Sequence, residues 1–254
     1  MKYSICIEPI FNEFSFEDRI KVVNEIGFNT IEFWDPAEKN LDKLREECNK
    51  YNISISVCTL NDPWGNKRLN AETKIFIQNF EETIPHLRKI NCSTVIVLTG
   101  EIEKDRSAES QRLQIVANLK EAAKIAESEN INIVLEALNS YVDHKGYFLN
   151  SSKLGFEIIK EIGSEKVKLL YDIYHMQIME GNIISNIENN IELIGHFHSA
   201  GVPGRHELYS GELNYKNILK TIENTTFNEF FGLEYWPSTN SEESLVKTLK
   251  FLDE

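Results

Sequence analysis

The sequence predicts a single (β/α)8 barrel over residues 1–254, the α/β fold of the TIM-barrel class. Three observations lead there. Short apolar, β-rich runs alternate with longer amphipathic segments along the whole chain, and such alternation implies a parallel sheet because parallel strands need crossover connections. The alternation yields eight units in 254 residues, a count and length that favour a closed barrel over a doubly wound sheet. The glycine signatures of nucleotide-binding sheets are missing: no GxGxxG follows the first strand and no GxxxxGK[ST] occurs anywhere.

KYSICIEPI (2–10) reads as the first strand. FSFEDRIKVVNEIGF follows with helical spacing, since Phe16, Ile20, Val23 and Ile26 share a face and Gly27 ends it. TIEFW (30–34) is the second strand and LDKLREECNKYN its helix. ISISVCTL (53–60) is the third, followed by a polar loop, NDPWGNKRLNAE, and a helix over 73–89. STVIVLTG (93–100) is the fourth, with an amphipathic helix over 108–127. INIVLEALN (131–139) is the fifth, with a helix near 152–161. VKLLYDIYH (167–175) is the sixth, with a helix near 184–190. IGHFHSAG (194–201) is the seventh, with a helix near 215–223. EFFGLEYWP (229–237) is the eighth, and SEESLVKTLKFL closes the chain as a helix. No linker or low-complexity tract divides the chain.

Composition excludes several function classes. Lys and Arg number 27 against 40 Asp and Glu, a formal charge of −13. That argues against a nucleic-acid partner, which needs a basic surface. No run approaches the roughly 18–20 apolar residues of a membrane span, so no membrane partner is expected. The N-terminal stretch MKYSICIEPIFNEFSF has no secretory-signal pattern. Cys6, Cys48, Cys58 and Cys92 are scattered without CxxC spacing, which points to reduced thiols and a cytoplasmic location. The sequence is compatible with a homo-oligomer and nearly silent about it.

The chemistry is written at the ends of the last four strands. Glu136, Asp172, His198 and Glu234 each follow an apolar run, in IVLEALN, KLLYDIYH, GHFHSAG and FGLEYWP. Barrel enzymes carry their active sites at the C-terminal ends of the strands. Consecutive strands would send all four side chains into one mouth, where three carboxylates repel unless a cation holds them. Three oxygens and one imidazole suit Mg²⁺ or Mn²⁺. A lone strand-end Glu is more often solvated or hydrogen-bonded; four on successive strands make a metal centre the better reading. Such a cation stabilises an anionic enediolate, so Glu136 and Glu234, two strands apart, are the candidate proton carriers of an aldose–ketose type isomerisation.

These segments resemble the hydroxypyruvate isomerase family of the xylose-isomerase-like barrels. YDIYHMQIMEGN (171–182) carries the resemblance most specifically. LEALNSYVDHKGYFL (135–149), PGRHELYSGELNY (203–215) and GLEYWPS (232–238) extend it, while the first 130 residues match mainly in pattern. The resemblance implies a divalent-metal site on Glu136, Asp172, His198 and Glu234. It also implies acid–base roles for both Glu residues, substrate contact by His175, and hydroxypyruvate ⇌ tartronate semialdehyde as the reaction. The chain departs from the family at His198, where hydroxypyruvate isomerases often place a Gln followed shortly by an Asp, and where related ketose 3-epimerases place His.

Other residues carry a functional reading beside a bland one. Arg205, after the PG turn, suits a guanidinium that clamps substrate oxygens, or a loop-stabilising Arg. His206 belongs to the same candidate substrate-binding loop. Trp64 is read as an apolar lid or a loop anchor, and Trp236 as a pocket wall. Glu212 could orient Arg205 or His206, or simply lie near the N-terminus of the seventh helix. His196 shares a strand face with His198 and could stand behind the metal. Glu8 and Glu32 sit in strands 1 and 2, where an inward carboxylate needs a partner, and each is read as the lower wall of the pocket or as a structural hydrogen-bonding group. His86 and His144 read as helix-surface and loop residues. The competing functions are a ketose 3-epimerase, a non-catalytic sugar-binding barrel and an endonuclease IV-like phosphoesterase. The last is disfavoured by six His and the acidic charge.

Overall fold

A computed structural model describes residues 1–254. Strands β1 (Lys2–Cys6), β2 (Thr30–Phe33), β3 (Ser54–Thr59), β4 (Thr94–Val97), β5 (Asn132–Glu136), β6 (Val167–Asp172), β7 (Ile194–Ser199) and β8 (Phe230–Leu233) pair in parallel, in chain order. β8 returns to β1, with Lys2 opposite Phe230 and Ile5 opposite Leu233, which closes the barrel. The connecting helices are α1 (Ile7–Ile10), α2 (Asp18–Ile26), α3 (Leu41–Tyr51), α4 (Thr73–Lys89), α5 (Ala108–Glu129), α6 (Ser152–Ile162), α7 (Ile173–Met179), α8 (Ile183–Asn190), α9 (Tyr215–Glu223) and α10 (Ser241–Asp253). The expected (β/α)8 barrel is therefore the fold. None of the helices is long and apolar enough to cross a membrane.

Local signals set the helix ends. Asn40, Ser107, Asn214 and Asn240 each accept a backbone N–H of the first turn of α3, α5, α9 and α10. Gly27, with φ +112°, ends α2 in the left-handed region that glycine enters freely.

The strands stop earlier than their apolar runs suggest. β1 ends at Cys6 and turns into α1, because Pro9 has no N–H for the ladder. β6 ends at Asp172, whose carboxylate accepts the His175 N–H at 3.1 Å and caps α7. Residues 173–175, expected to finish the sixth strand, instead open the helix α7, since a short apolar run fits either. β8 ends at Leu233, so Glu234 already belongs to the loop.

Strand parity divides the sheet. Phe197 of β7 points outward against Tyr171, Phe227 and Phe231. His196 and His198 point inward. Glu32 on β2 meets His196 on β7, and those strands are not neighbours, so the contact crosses the barrel interior. Ser4 of β1 and Ser56 of β3 join the same layer. A polar layer thus replaces the branched aliphatics that usually fill such barrels.

Candidate active site

Glu136, Asp172, His198 and Glu234 converge at the C-terminal mouth of the barrel. All four are buried, and one ligand-type atom from each lies within 4.8 Å of all the others. Register explains the convergence: Asp172 pairs laterally with His198, and His198 with Gly232, two residues before Glu234. His198 Nδ1 lies 3.2 Å from Glu136 Oε1 and 3.4 Å from Glu234 Oε2. Its other nitrogen, Nε2, faces Glu32 Oε1 at 3.0 Å. The donor set, three carboxylates and an imidazole nitrogen, suits a hard or borderline divalent cation.

A support lies beneath. Glu32 Oε2 accepts from His196 Nε2 at 2.9 Å, Ser4 Oγ at 2.5 Å and Ser56 Oγ at 3.4 Å. Burial opposes ionisation of Glu32, but His198 and His196 outweigh it and bring its carboxyl down to about 2. Gly232 leaves the space for this pair, because a Cβ there would meet Glu32 Oε1 at 2.5 Å and His198 Cδ2 at 2.7 Å.

The remaining groups polarise the site. Burial pushes the Asp172 carboxyl up to about 7, with Arg205 and His198 opposing. Burial also opposes ionisation of Glu234, yet His198 and Arg205 hold it well below the carboxylate range. His198 is raised well above the usual imidazole value, since Glu234 and Glu32 outweigh its burial. Glu234 Oε1 accepts the Trp34 indole N–H at 3.0 Å and faces the Cys6 thiol at 3.7 Å, while Oε2 takes the Arg205 guanidinium. Arg205 lies between the rings of Tyr174 and Trp236, at 5.2 and 4.9 Å. His175 is buried at the first turn of α7. Burial and then Arg205 lower it well below the imidazole range, so it is neutral.

A cavity of about 260 Å³ opens over the cluster. It is lined by Glu136, Glu234, His175, Arg205, His144 and three tryptophans, Trp34, Trp64 and Trp236, which are all the tryptophans of the chain. Trp64 of the β3–α4 loop is half exposed and stacks on His144 at 5.4 Å.

Several sequence expectations need correcting. His206 does not join the cavity: Arg205 adopts φ +56°, which sends the guanidinium inward while His206 bonds the Trp236 carbonyl at 2.8 Å. Glu212 orients neither Arg205 nor His206; it is exposed and bonds Gln177. Glu8 lies in α1, paired with Arg19 and Lys39 rather than facing the interior. His144 is no ordinary loop residue, since it lines the cavity. Trp34 and Asn139 were missed. An aromatic at a strand end and an amide in a loop give little local signal, and only their contacts show their positions.

The model of the xylose isomerase-like TIM barrel family matches residues 20–254. The chain is 28% identical to the hydroxypyruvate isomerase of Escherichia coli, over 96% of this chain and 97% of that one. It is also 28% identical to the 2-oxo-tetronate isomerase of Cupriavidus necator, over 96% of each. Among solved structures it superposes on an AP endonuclease, family 2, from Brucella melitensis with a TM-score of 0.92 and 24% identity, covering 99% of both chains. At that identity the likeness establishes the fold alone.

Proposed function

This chain belongs to the xylose isomerase-like TIM barrel family, and we propose that it is a divalent-metal-dependent isomerase of a small hydroxy-carbonyl acid. The reaction is the interconversion of hydroxypyruvate and tartronate semialdehyde or its four-carbon analogue. One observation carries the reading: His175 Nε2, 3.5 Å from Asp172 Oδ2, and Arg205 Nε are buried polar nitrogens that make no hydrogen bond, and both residues line the cavity that Glu136 and Glu234 also line. Buried donors left unpaired are costly, and a substrate rich in oxygen satisfies both. The relatives named hydroxypyruvate isomerase and 2-oxo-tetronate isomerase favour a 2-keto acid.

Glu136, Asp172, His198 and Glu234 would hold Mg²⁺ or Mn²⁺. When bound, such a cation supplies Lewis-acid stabilisation of negative charge developing on the substrate oxygens. The chain's own residues do the rest. Glu234, kept ionised by His198 and Arg205 against its burial, takes the proton from the carbon beside the carbonyl. Glu136, on the other wall, takes the proton of the substrate hydroxyl and delivers it to the neighbouring carbon, while Glu234 passes its own to the former carbonyl oxygen, so both carboxylates end ionised. His175 and Arg205 fix the substrate oxygens. Trp34, Trp64 and Trp236 shape the cavity and exclude water from the enediolate.

His198 supports a second reading, a ketose 3-epimerase, which would use the same Glu pair on a longer sugar. One experiment separates the two. EDTA-stripped protein refilled with Mn²⁺ or Mg²⁺ is incubated in D₂O with three- to six-carbon hydroxy-carbonyl compounds, and deuterium uptake at carbon is read by NMR. Metal-dependent uptake into the three- and four-carbon keto acids is expected. Preferential uptake at C3 of ketohexoses favours the epimerase, and no uptake with any compound refutes both.

A further inference from the structure

The amide of Asn139 is fully committed, and its commitments dictate which nitrogen of His175 carries a proton. Asn139 follows β5 and is buried, as is His175. Asn139 Oδ1 receives the backbone N–H groups of Val142 and Asp143, each at 3.0 Å. Its Nδ2 donates to Asp143 Oδ2 at 2.6 Å and lies 2.7 Å from His175 Nδ1. Rotating the amide by a half turn would set Nδ2 against two N–H donors and Oδ1 against a carboxylate. Three of the four contacts therefore fix the orientation. The fourth then requires a lone pair on His175 Nδ1, and in a neutral imidazole the proton is on Nε2. That Nε2 is buried on a cavity-lining residue, and the one carboxylate near it, Asp172 Oδ2 at 3.5 Å, does not meet hydrogen-bond geometry.

We propose that Asn139 is a positioning residue that locks His175 in the Nε2–H tautomer, so that a neutral imidazole presents a proton donor to a substrate oxygen. The functional half rests on the isomerase reading above; the tautomer itself does not. A neutral donor polarises a carbonyl without contributing a further full charge beside Arg205. Tyr174, whose hydroxyl donates to Asp143 Oδ2 at 2.9 Å, helps to hold the acceptor that orients the amide.

The test pairs spectroscopy with kinetics. In ¹⁵N-histidine-labelled, metal-free protein, long-range ¹H–¹⁵N correlations distinguish protonated from unprotonated ring nitrogens, and the signals lost in His175→Asn assign the residue. Nε2 should be protonated and Nδ1 bare. The double variant Asn139→Asp with Asp143→Asn preserves a hydrogen bond between the two positions but turns residue 139 into a pure acceptor. It should move the proton to Nδ1 and lower kcat about 10²–10³-fold, the usual loss for one transition-state donor. Mn²⁺ affinity and the unfolding midpoint should be unchanged, which a merely structural role would not give. A proton on Nδ1 in the parent protein, or a tautomer exchange that leaves kcat intact, overturns the proposal. The spectroscopic arm needs no substrate, so failure of the isomerase reading and failure of this one are distinguishable.

Discussion

Replacing Glu32 with Gln should weaken divalent-metal binding although Glu32 is not one of the four mouth residues proposed to ligate. Three donors, from Ser4, Ser56 and His196, crowd its Oε2, while Oε1 faces only His198 Nε2 at 3.0 Å. In the Gln variant the carbonyl oxygen remains with the three donors, and the NH₂ turns to His198. Only a lone pair on Nε2 can receive it, so the His198 proton moves to Nδ1. Nδ1 is the nitrogen that lies 3.2 Å from Glu136 and 3.4 Å from Glu234, and a protonated nitrogen cannot ligate. Losses behind a metal-binding histidine commonly cost 10–100-fold in affinity, and blocking the ligating nitrogen places Glu32→Gln near the upper end, about 100-fold or roughly 2.7 kcal/mol. Calorimetric titration of EDTA-stripped protein with Mn²⁺ measures this, with near-UV circular dichroism to confirm the fold. A folded variant that binds Mn²⁺ as tightly as the parent refutes the reasoning.

Gly232→Ala attacks the same pair sterically, since its Cβ would lie 2.5 Å from Glu32 Oε1; it should weaken Mn²⁺ binding and cost about 1–3 kcal/mol in denaturant unfolding. Metal loading should release protons, because Asp172, raised to about 7 by burial, and His198, raised by Glu234 and Glu32 against its burial, must both be deprotonated to ligate. Affinity therefore rises with pH and falls as acid refills the two groups, by about tenfold per pH unit for each proton displaced; titrations in buffers of different ionisation enthalpy count these protons, and none released would contradict the assignment. Trp34→Phe removes the N–H donor on Glu234 Oε1, a bond to a charged group of about 1.5–3 kcal/mol, and should lower kcat/KM at least tenfold while leaving the unfolding midpoint near that of the parent. Phe197→Ala, on the outer face of β7 against Phe227 and Tyr171, should cost about 3–5 kcal/mol of stability and serves as a structural control.

The fold was legible because βα alternation is periodic, and each unit carries its own signal in strand length, amphipathic face or cap. Helices 73–89 and 215–223 follow their expected bounds to the residue. Strand ends were less legible, since the switch from β6 to α7 depends on Asp172 capping its own following turn, a contact that hydropathy does not carry. The mouth residues on β5–β8 could be read because a charged residue after an apolar run is conspicuous. Asn139, Trp34 and Gly232 could not, because their positions depend on partners 36, 200 and 200 residues away. Arg205 and His206 are adjacent with similar chemistry, and only a left-handed φ at Arg205 separates them.

Charge accounts for why the proposed cation and the polar support would act together. Glu32, Glu136, Asp172 and Glu234 are buried within one connected cluster, and Arg205 is the single permanent cation in contact with it. With both imidazoles neutral and every carboxylate ionised, three negative charges are left over, which a low-dielectric interior does not tolerate. Protons on Asp172, raised by burial, and on His198, raised by Glu234 and Glu32, offset two of the three; a bound divalent cation would replace those protons and likewise leave one charge for the surrounding donors to solvate. A glutamine at position 198 would need no proton management, but a histidine must hold its proton on the far nitrogen for the near one to ligate. Glu32, anchored by His196, Ser4 and Ser56, sets a carboxylate oxygen 3.0 Å from Nε2 on the side of His198 away from the mouth, and its charge favours the proton there though the contact lacks hydrogen-bond geometry. The histidine that departs from the hydroxypyruvate isomerase pattern and the polar layer under the barrel mouth are therefore one feature, so exchanging His198 for Gln should remove the dependence of metal affinity on Glu32.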